Sequence, residues 1–149
     1  MKSLIFLLLF VFLIACSEKK DTQKFVLLEF RIAETESTDS QTKMIVTDWG
    51  EVYYLRKEVE ITNKDVKSAE VKNMNDRTVI LLTFNEEGKQ KFADLTANNI
   101  GKKIGMLLDG KLVSAPVVND TIKEGRAIIS YNFNEEEAES IAKSILLKN

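Results

Sequence analysis

Asp109-Gly110 stands between two apolar runs, residues 104–108 and 111–115. A two-residue Asp-Gly loop takes positive φ at both positions and twists as paired strands twist, so it commits its flanks to an antiparallel hairpin. The turn also predicts the register: Leu108 opposite Lys111, Met106 opposite Val113, Ile104 opposite Ala115. One face is then Ile104, Met106, Leu108, Val113 and Ala115, apolar apart from Lys111 at the tip. On the other face Gly105 meets Ser114, a patch where side chains cover the backbone least. Pro116 lacks an N–H and either ends the ladder or marks a sheet edge. Gly105, Ser114 and Pro116 are therefore candidate partner contacts, because extended peptides add to open edges.

The remaining pattern is read the same way. Residues 25–32 alternate, with Val26, Leu28, Phe30 and Ile32 on one face and Glu29 and Arg31 on the other, as in a half-buried strand. Residues 34–43 hold no apolar side chain and read as a surface loop. Met44-Ile45-Val46 and Val52-Tyr53-Tyr54-Leu55 flank Asp48-Trp49-Gly50, a second hairpin. Trp49 at its tip is expected to fold back on the core; the alternative is a partner contact, since exposed Trp is enriched at binding hot spots.

Thr62 caps a predicted short helix over 63–69, with Asp65 as the reciprocating acid. Residues 79–84, polar only at Thr83, predict a central strand buried on both faces. Asn85 caps a helix to about Asn98, with Phe92, Leu95, Ala93 and Ile100 inward and Gly101 as its stop. After Gly125, residues 127–133 predict a strand with Ile129, Tyr131 and Phe133 pointing one way. Asn134 and Glu137 form a capping box for a last helix, whose apolar stripe is Ala138, Ile141, Ala142, Ile145 and Leu146. Phe84-Asn85-Glu86-Glu87 and Phe133-Asn134-Glu135-Glu136 repeat one strand-to-helix junction, either a shared capping solution or a duplication. The expected fold is α+β: a mainly antiparallel sheet with two main helices and one short helix packed on one face.

Ahead of this domain, residues 4–14 are wholly apolar between Lys2 and Ala15-Cys16. That is too short for a membrane-spanning helix, which needs about 20 residues, and it has the form of a secretory signal. Leu13-Ile14-Ala15-Cys16 resembles the bacterial lipobox. The resemblance implies cleavage before Cys16 and lipid, palmitate included, on Cys16; the alternative is a plain signal peptide with a chance Cys. The expected organisation is a lipoprotein signal peptide over 1–15, a lipidated Cys and polar tether over 16–24, and a single α+β domain over 25–149. Residues 17–24 span at most about 28 Å when extended. The chain is then expected in the bacterial cell envelope, anchored at Cys16 to a membrane outside the cytoplasm.

Composition narrows the chemistry. The chain has no His and one Cys. Without His, Ser-His-Asp and Cys-His catalysis and nearly all zinc, copper and haem sites are excluded. A lipidated Cys16 leaves no thiol for redox work or a disulfide. Lys plus Arg number 21 against 23 Asp plus Glu, a net charge of −2 that argues against nucleic acid. Asp109 is explained by its turn, and Asp94 has no obvious partner. The acidic run from Glu135 to Glu139 is explained by a helix start, where acids are favoured and successive residues do not share a face. Residues 76–87 lack the Gly-centred ligand loop of a calcium site. Ser114 has no base near it in sequence. No catalytic residue, metal or cofactor is expected.

Over residues 61–147 the chain resembles a known family. The motifs are Asp65-Val66-Lys67-Ser68-Ala69; Phe84-Asn85-Glu86-Glu87-Gly88 continuing to Phe92; Leu95-Thr96-Ala97-Asn98-Asn99-Ile100-Gly101-Lys102; and Leu108-Asp109-Gly110-Lys111-Leu112-Val113-Ser114-Ala115-Pro116. Ile122, Gly125, Ile129, Ser130, Phe133 and Glu137-Ala138 follow in order. This is similar to the head subdomain of the first periplasmic domain of SecD. The resemblance implies a module of the protein-export machinery, where SecD with SecF uses the proton gradient to help draw polypeptides from the translocon. The head is thought to contact the emerging chain, and it offers no catalytic residue to carry over; the family's proton-carrying residues lie in transmembrane helices. The family usually has Gly where this chain has Tyr131, and residues 25–60 match less clearly. The implied function is a non-enzymatic, lipid-anchored binding module of the envelope, contacting exported polypeptide or an envelope protein. The alternatives are a structural or interaction lipoprotein unrelated to export, and a carboxylate-based hydrolase.

Overall fold

The computed structural model describes residues 24–37 and 41–147, so the signal segment and Cys16 lie outside the described residues. The elements are β1 (Leu28–Glu34), β2 (Gln41–Val46), β3 (Val52–Arg56), β4 (Ile61–Thr62), a 3-10 turn (Asn63–Asp65), β5 (Val66–Met74), β6 (Arg77–Phe84), α1 (Glu86–Ala97), β7 (Lys103–Leu108), β8 (Lys111–Ser114), β9 (Arg126–Ser130) and α2 (Glu135–Ile145).

The pairing is antiparallel as expected, but it makes two sheets instead of one. The first has the order β2-β3-β1-β7-β8, with β4 added to β1; the second is β5-β6-β9. The first sheet curls. Lys43 of β2 brings its Nζ to 3.7 Å from where a side chain on Gly110 would begin, and Lys111 Nζ of β8 lies 2.7 Å from Asp48 Oδ2. Its two edge strands thus come within side-chain reach. The inner face closes on a small core of Ala33, Tyr53, Leu55, Leu107 and Leu112. The outer face, through Leu28, Phe30, Ile32, Ile104 and Met106, joins a larger core. That core also takes Ile80, Leu82 and Phe84 from β6, Phe92 and Leu95 from α1, and Ala138, Ala142 and Ile145 from α2. Phe84 sits between Phe30 and Phe92, with ring centroids 6.0 Å and 4.9 Å away.

Caps fix where the helices start. Asn85 accepts from Gly88 N at the start of α1, and Asn134 forms the capping box with Glu137 on α2. Asn63 clamps distant segments: its Oδ1 accepts from Leu28 N, and its Nδ2 donates to the carbonyls of Val26 and Ile145.

Several expectations are corrected. The helix over 63–69 is one 3-10 turn. Thr62 and Asp65 make the capping box, but Val66 returns to φ −90°, ψ 129° and the chain pairs along β6 as β5. Ladder hydrogen bonds and the apolar alternation at Val66, Ala69 and Val71 outweigh the local cap. The surface loop is shorter than residues 34–43, because Glu34 ends β1 and residues 41–43 belong to β2. β6 is central in its sheet and buried on one face, while Leu81 and Thr83 on the other are half-exposed. Ile100 and Leu146 are exposed, at 56% and 43%. β9 ends at Ser130, although Tyr131 and Phe133 still pack against the larger core.

The Asp109-Gly110 hairpin forms, with φ of 49° and 78°, but its register changes beyond the turn. Leu108 pairs with Lys111 and Leu107 with Leu112, then a bulge brings Met106 opposite Ser114. Leu112 and Val113 keep their expected faces, on the small and the larger core, but past the bulge Ser114 lies opposite Met106 and Ala115 packs against the small core.

Candidate functional site

An open cleft of about 920 Å3 lies where four chain segments converge. The β2–β3 tip supplies Asp48 and Trp49, and the β5–β6 turn supplies Asp76 and Arg77. The end of β8 supplies Val113, Ser114, Ala115 and Pro116, and the end of β9 supplies Ser130 to Phe133. Strands end here because their turns demand it: Asn75 and Asp76 have φ of 49° and 59°, and Gly50 has φ of 86°.

Charge is neutralised inside the cleft. Tyr131 donates its hydroxyl to Asp48 Oδ2, which also takes Lys111 Nζ at 2.7 Å. Lys111 Nζ stands 4.9 Å from the Tyr131 ring centroid, and Tyr131 leans on Phe133 at 5.2 Å between centroids. The Lys111 ammonium, then the Tyr131 hydroxyl, hold the Asp48 carboxyl below the usual carboxylate range. Asp48 in turn holds Lys111 above the ordinary ammonium range. Beside them Trp49 donates Nε1 to Glu51 Oε2 at 3.0 Å, and Glu51 also accepts from the Tyr53 hydroxyl. These two bonds, Tyr53 first, keep Glu51 below its ordinary value.

A second groove, of about 1030 Å3, lies on the other side of Pro116 and is more apolar. Met74, Leu81 and Ile128 from the second sheet face Val117 and Ile122 across it. Pro116 lines both hollows, so the two follow the seam between the β8 edge of one sheet and the β9 edge of the other.

Three of the four residues singled out from sequence, Trp49, Ser114 and Pro116, share the cleft; Gly105 does not. Gly105 is buried under the inner face of the first sheet, where a Cβ would meet Leu112 Cδ1 at 2.9 Å and Ala33 Cβ at 3.3 Å. Leu112, Ala33 and Leu55 of the small core crowd this position. Trp49 does not fold back on the core; it is 45% exposed. Pro116 does not end the ladder, because Ile104 N donates to its carbonyl at 3.0 Å and Val118 N to Lys102 O at 2.8 Å. It does lie along the edge of the sheet. Cys16 lies outside the described residues. Sequence reading missed Asp48 and Arg77 as cleft residues, and Lys111 as the partner of Asp48. Tyr131, marked only as a departure from the family pattern, is the group that ties two of them together.

Among the described residues no group of three or more carboxylate, Cys or His side chains could hold a metal, and no helix is long and apolar enough to cross a membrane. The described residues thus form a mainly antiparallel α+β domain with an open cleft. Residues 35–148 match the family model of the SecDF P1 head subdomain, and the chain belongs to that family. It is 43% identical over 90 residues to the protein translocase subunit SecD of Acidaminococcus fermentans, covering 60% of this chain and 21% of that one. With the SecD of Rhodothermus marinus it shares 40% over 94 residues, covering 60% and 15%. The chain thus spans about a fifth or less of the length of these relatives. A solved structure of SecDF, described as a membrane component that enhances protein export, superposes with a TM-score of 0.67 at 25% identity, covering 83% of this chain and 63% of that one.

Proposed function

We propose that this chain is a non-enzymatic binding module of the bacterial cell envelope, lipid-anchored at Cys16, that meets exported polypeptide in extended form. The observation that supports it most is the cleft at the seam of two sheet edges, where exposed Trp49 faces the end of β8 at Ser114 and Pro116. An edge offers unpaired backbone groups to an extended chain, and an exposed aromatic adds contact area at small entropic cost. The SecD relatives are translocase subunits, which supplies a reason for extended chains to be nearby. The Asp48 carboxylate of the cleft is already engaged by Lys111 and Tyr131, which favours binding over acid–base work.

The test is binding of the full chain, in detergent, to an unfolded secretory protein. Affinity is expected to fall by about tenfold or more when Ser114→Trp fills the cleft with the fold intact. No affinity for any extended chain overturns the reading and leaves an interaction lipoprotein unrelated to export.

A further inference from the structure

The outer face of the β2–β3 hairpin has no cover. Met44 pairs with Tyr54 and Val46 with Val52, so these four project from one side. Met44 is 60% exposed, Val46 62% and Val52 39%, while Ile45, Tyr53 and Leu55 of the same strands pack in the small core. Isolated exposed apolar residues are ordinary, but several on one hairpin beside an exposed Trp mark a contact surface.

The chain enters the domain next to this surface. Leu27 N donates to Asp109 Oδ1 and Asp109 N to Leu27 O, both at 2.9 Å, so the first described segment is fastened to the β7–β8 turn. Lys43, the neighbour of Met44, reaches the same turn at Gly110. Leu27 is itself 40% exposed. Residues 17–26 separate Leu27 from Cys16 and allow at most about 40 Å. A lipid on Cys16 therefore keeps the hairpin within one short tether of a bilayer, at an effective concentration on the order of millimolar. At that concentration a weak apolar contact is occupied. Trp favours the membrane–water interface, where its ring is buried and its N–H stays bonded, here to Glu51. The Asp48 charge beside it is neutralised by Lys111.

We propose that the outer face of the β2–β3 hairpin rests on the membrane surface, with Trp49 at the interface and Met44 and Val46 against the acyl boundary. The domain then lies on the bilayer instead of swinging from its tether, and one wall of the cleft stands at the membrane. This rests on lipidation at Cys16. Trp49 is the chain's one Trp, so tryptophan fluorescence comes from this position alone.

The experiment uses the full lipidated chain in vesicles of phosphatidylcholine and phosphatidylglycerol, with and without brominated acyl chains. Trp49 emission is expected to shift to the blue and to be quenched about twofold or more by brominated lipid. The double variant Met44→Ser, Val46→Ser, with unchanged circular dichroism, is expected to float with the vesicles yet lose the quenching. Protein that floats with Trp49 unquenched overturns the proposal and leaves the anchor standing. Quenching that persists in the double variant also overturns it. A blue shift without bromine quenching overturns it in favour of a second copy covering the hairpin. Protein that does not float at all overturns the anchor, and the proposal with it.

Discussion

The two hairpins of the first sheet differ in their turns and in what covers them. In β7–β8 every residue from Ile104 to Leu108 is buried, and Leu112 and Val113 are split between two cores. In β2–β3 Tyr53 and Leu55 are buried, and Met44, Val46 and Val52 face solvent. Residues at the same hairpin positions thus carry different duties. Those of β7–β8 hold the domain together, and those of β2–β3 are free to meet something else.

That contrast is sharpest in stability. Leu112→Ala opens a hole in the small core and is expected to cost about 2–5 kcal/mol by denaturant or thermal melting. Met44→Ala is expected to stay within about 0.5 kcal/mol of the parent. Equal losses at the two sites would break the comparison. Gly105→Val comes next. Its Cβ would lie 2.9 Å from Leu112 Cδ1 and 3.3 Å from Leu55 Cδ2, so overpacking should cost about 1–3 kcal/mol. A neutral result there would mean that the inner core yields and that Gly105 is not pinned by its neighbours. Gly110→Val ranks third. The position has φ of 78°, and a Cβ there would meet only the flexible Lys43 ammonium, at an ordinary 3.7 Å, so strain in the turn alone should cost on the order of 1 kcal/mol.

Local chemistry made much of the fold legible. The Asp-Gly turn, the caps at Asn85 and Asn134 and, Leu146 apart, the stripe on α2 are set by neighbours in sequence, and each appears where the pattern put it. What escaped depends on long-range partners. Nothing near Thr62 says that β6 will recruit residues 66–74 into a ladder, so a good cap read as a helix. Nothing near Ser114 announces the bulge that moves it opposite Met106, and nothing near Gly105 announces that Leu112, Ala33 and Leu55 will cover it. The site was legible in part for the same reason. Trp49, Ser114 and Pro116 stand out by residue type, whereas Asp48, Lys111 and Tyr131 are unremarkable singly and acquire meaning only when the curled sheet brings them together.

The smallest effect concerns the point where the two hairpins touch. Asp48 at one tip is bonded to Lys111 beside the other, with Tyr131 bracing the pair. The side chains are 57% and 53% exposed, so the link is screened and should scarcely move the melting temperature. It should still be visible in pH dependence. The folded Asp48 titrates below its ordinary value of 3.8, so its contribution is complete above that value and is lost as pH falls through the lower folded value. The tip is therefore expected to stay docked from neutral pH down to about 4 and to detach only at stronger acid. Trp49 reports the change, but Glu51, which accepts from its Nε1, also titrates low. Two variants separate them. Asp48→Asn should abolish the part of the acid transition in Trp49 emission that accompanies undocking, and Glu51→Gln the part due to the lost indole bond. Tyr131→Phe keeps Lys111 but removes one bond to the carboxylate, so the Asp48 midpoint should rise toward 3.8. An unmoved midpoint would show that Lys111 alone joins the hairpins, and that Tyr131 serves the cleft through its ring rather than its hydroxyl.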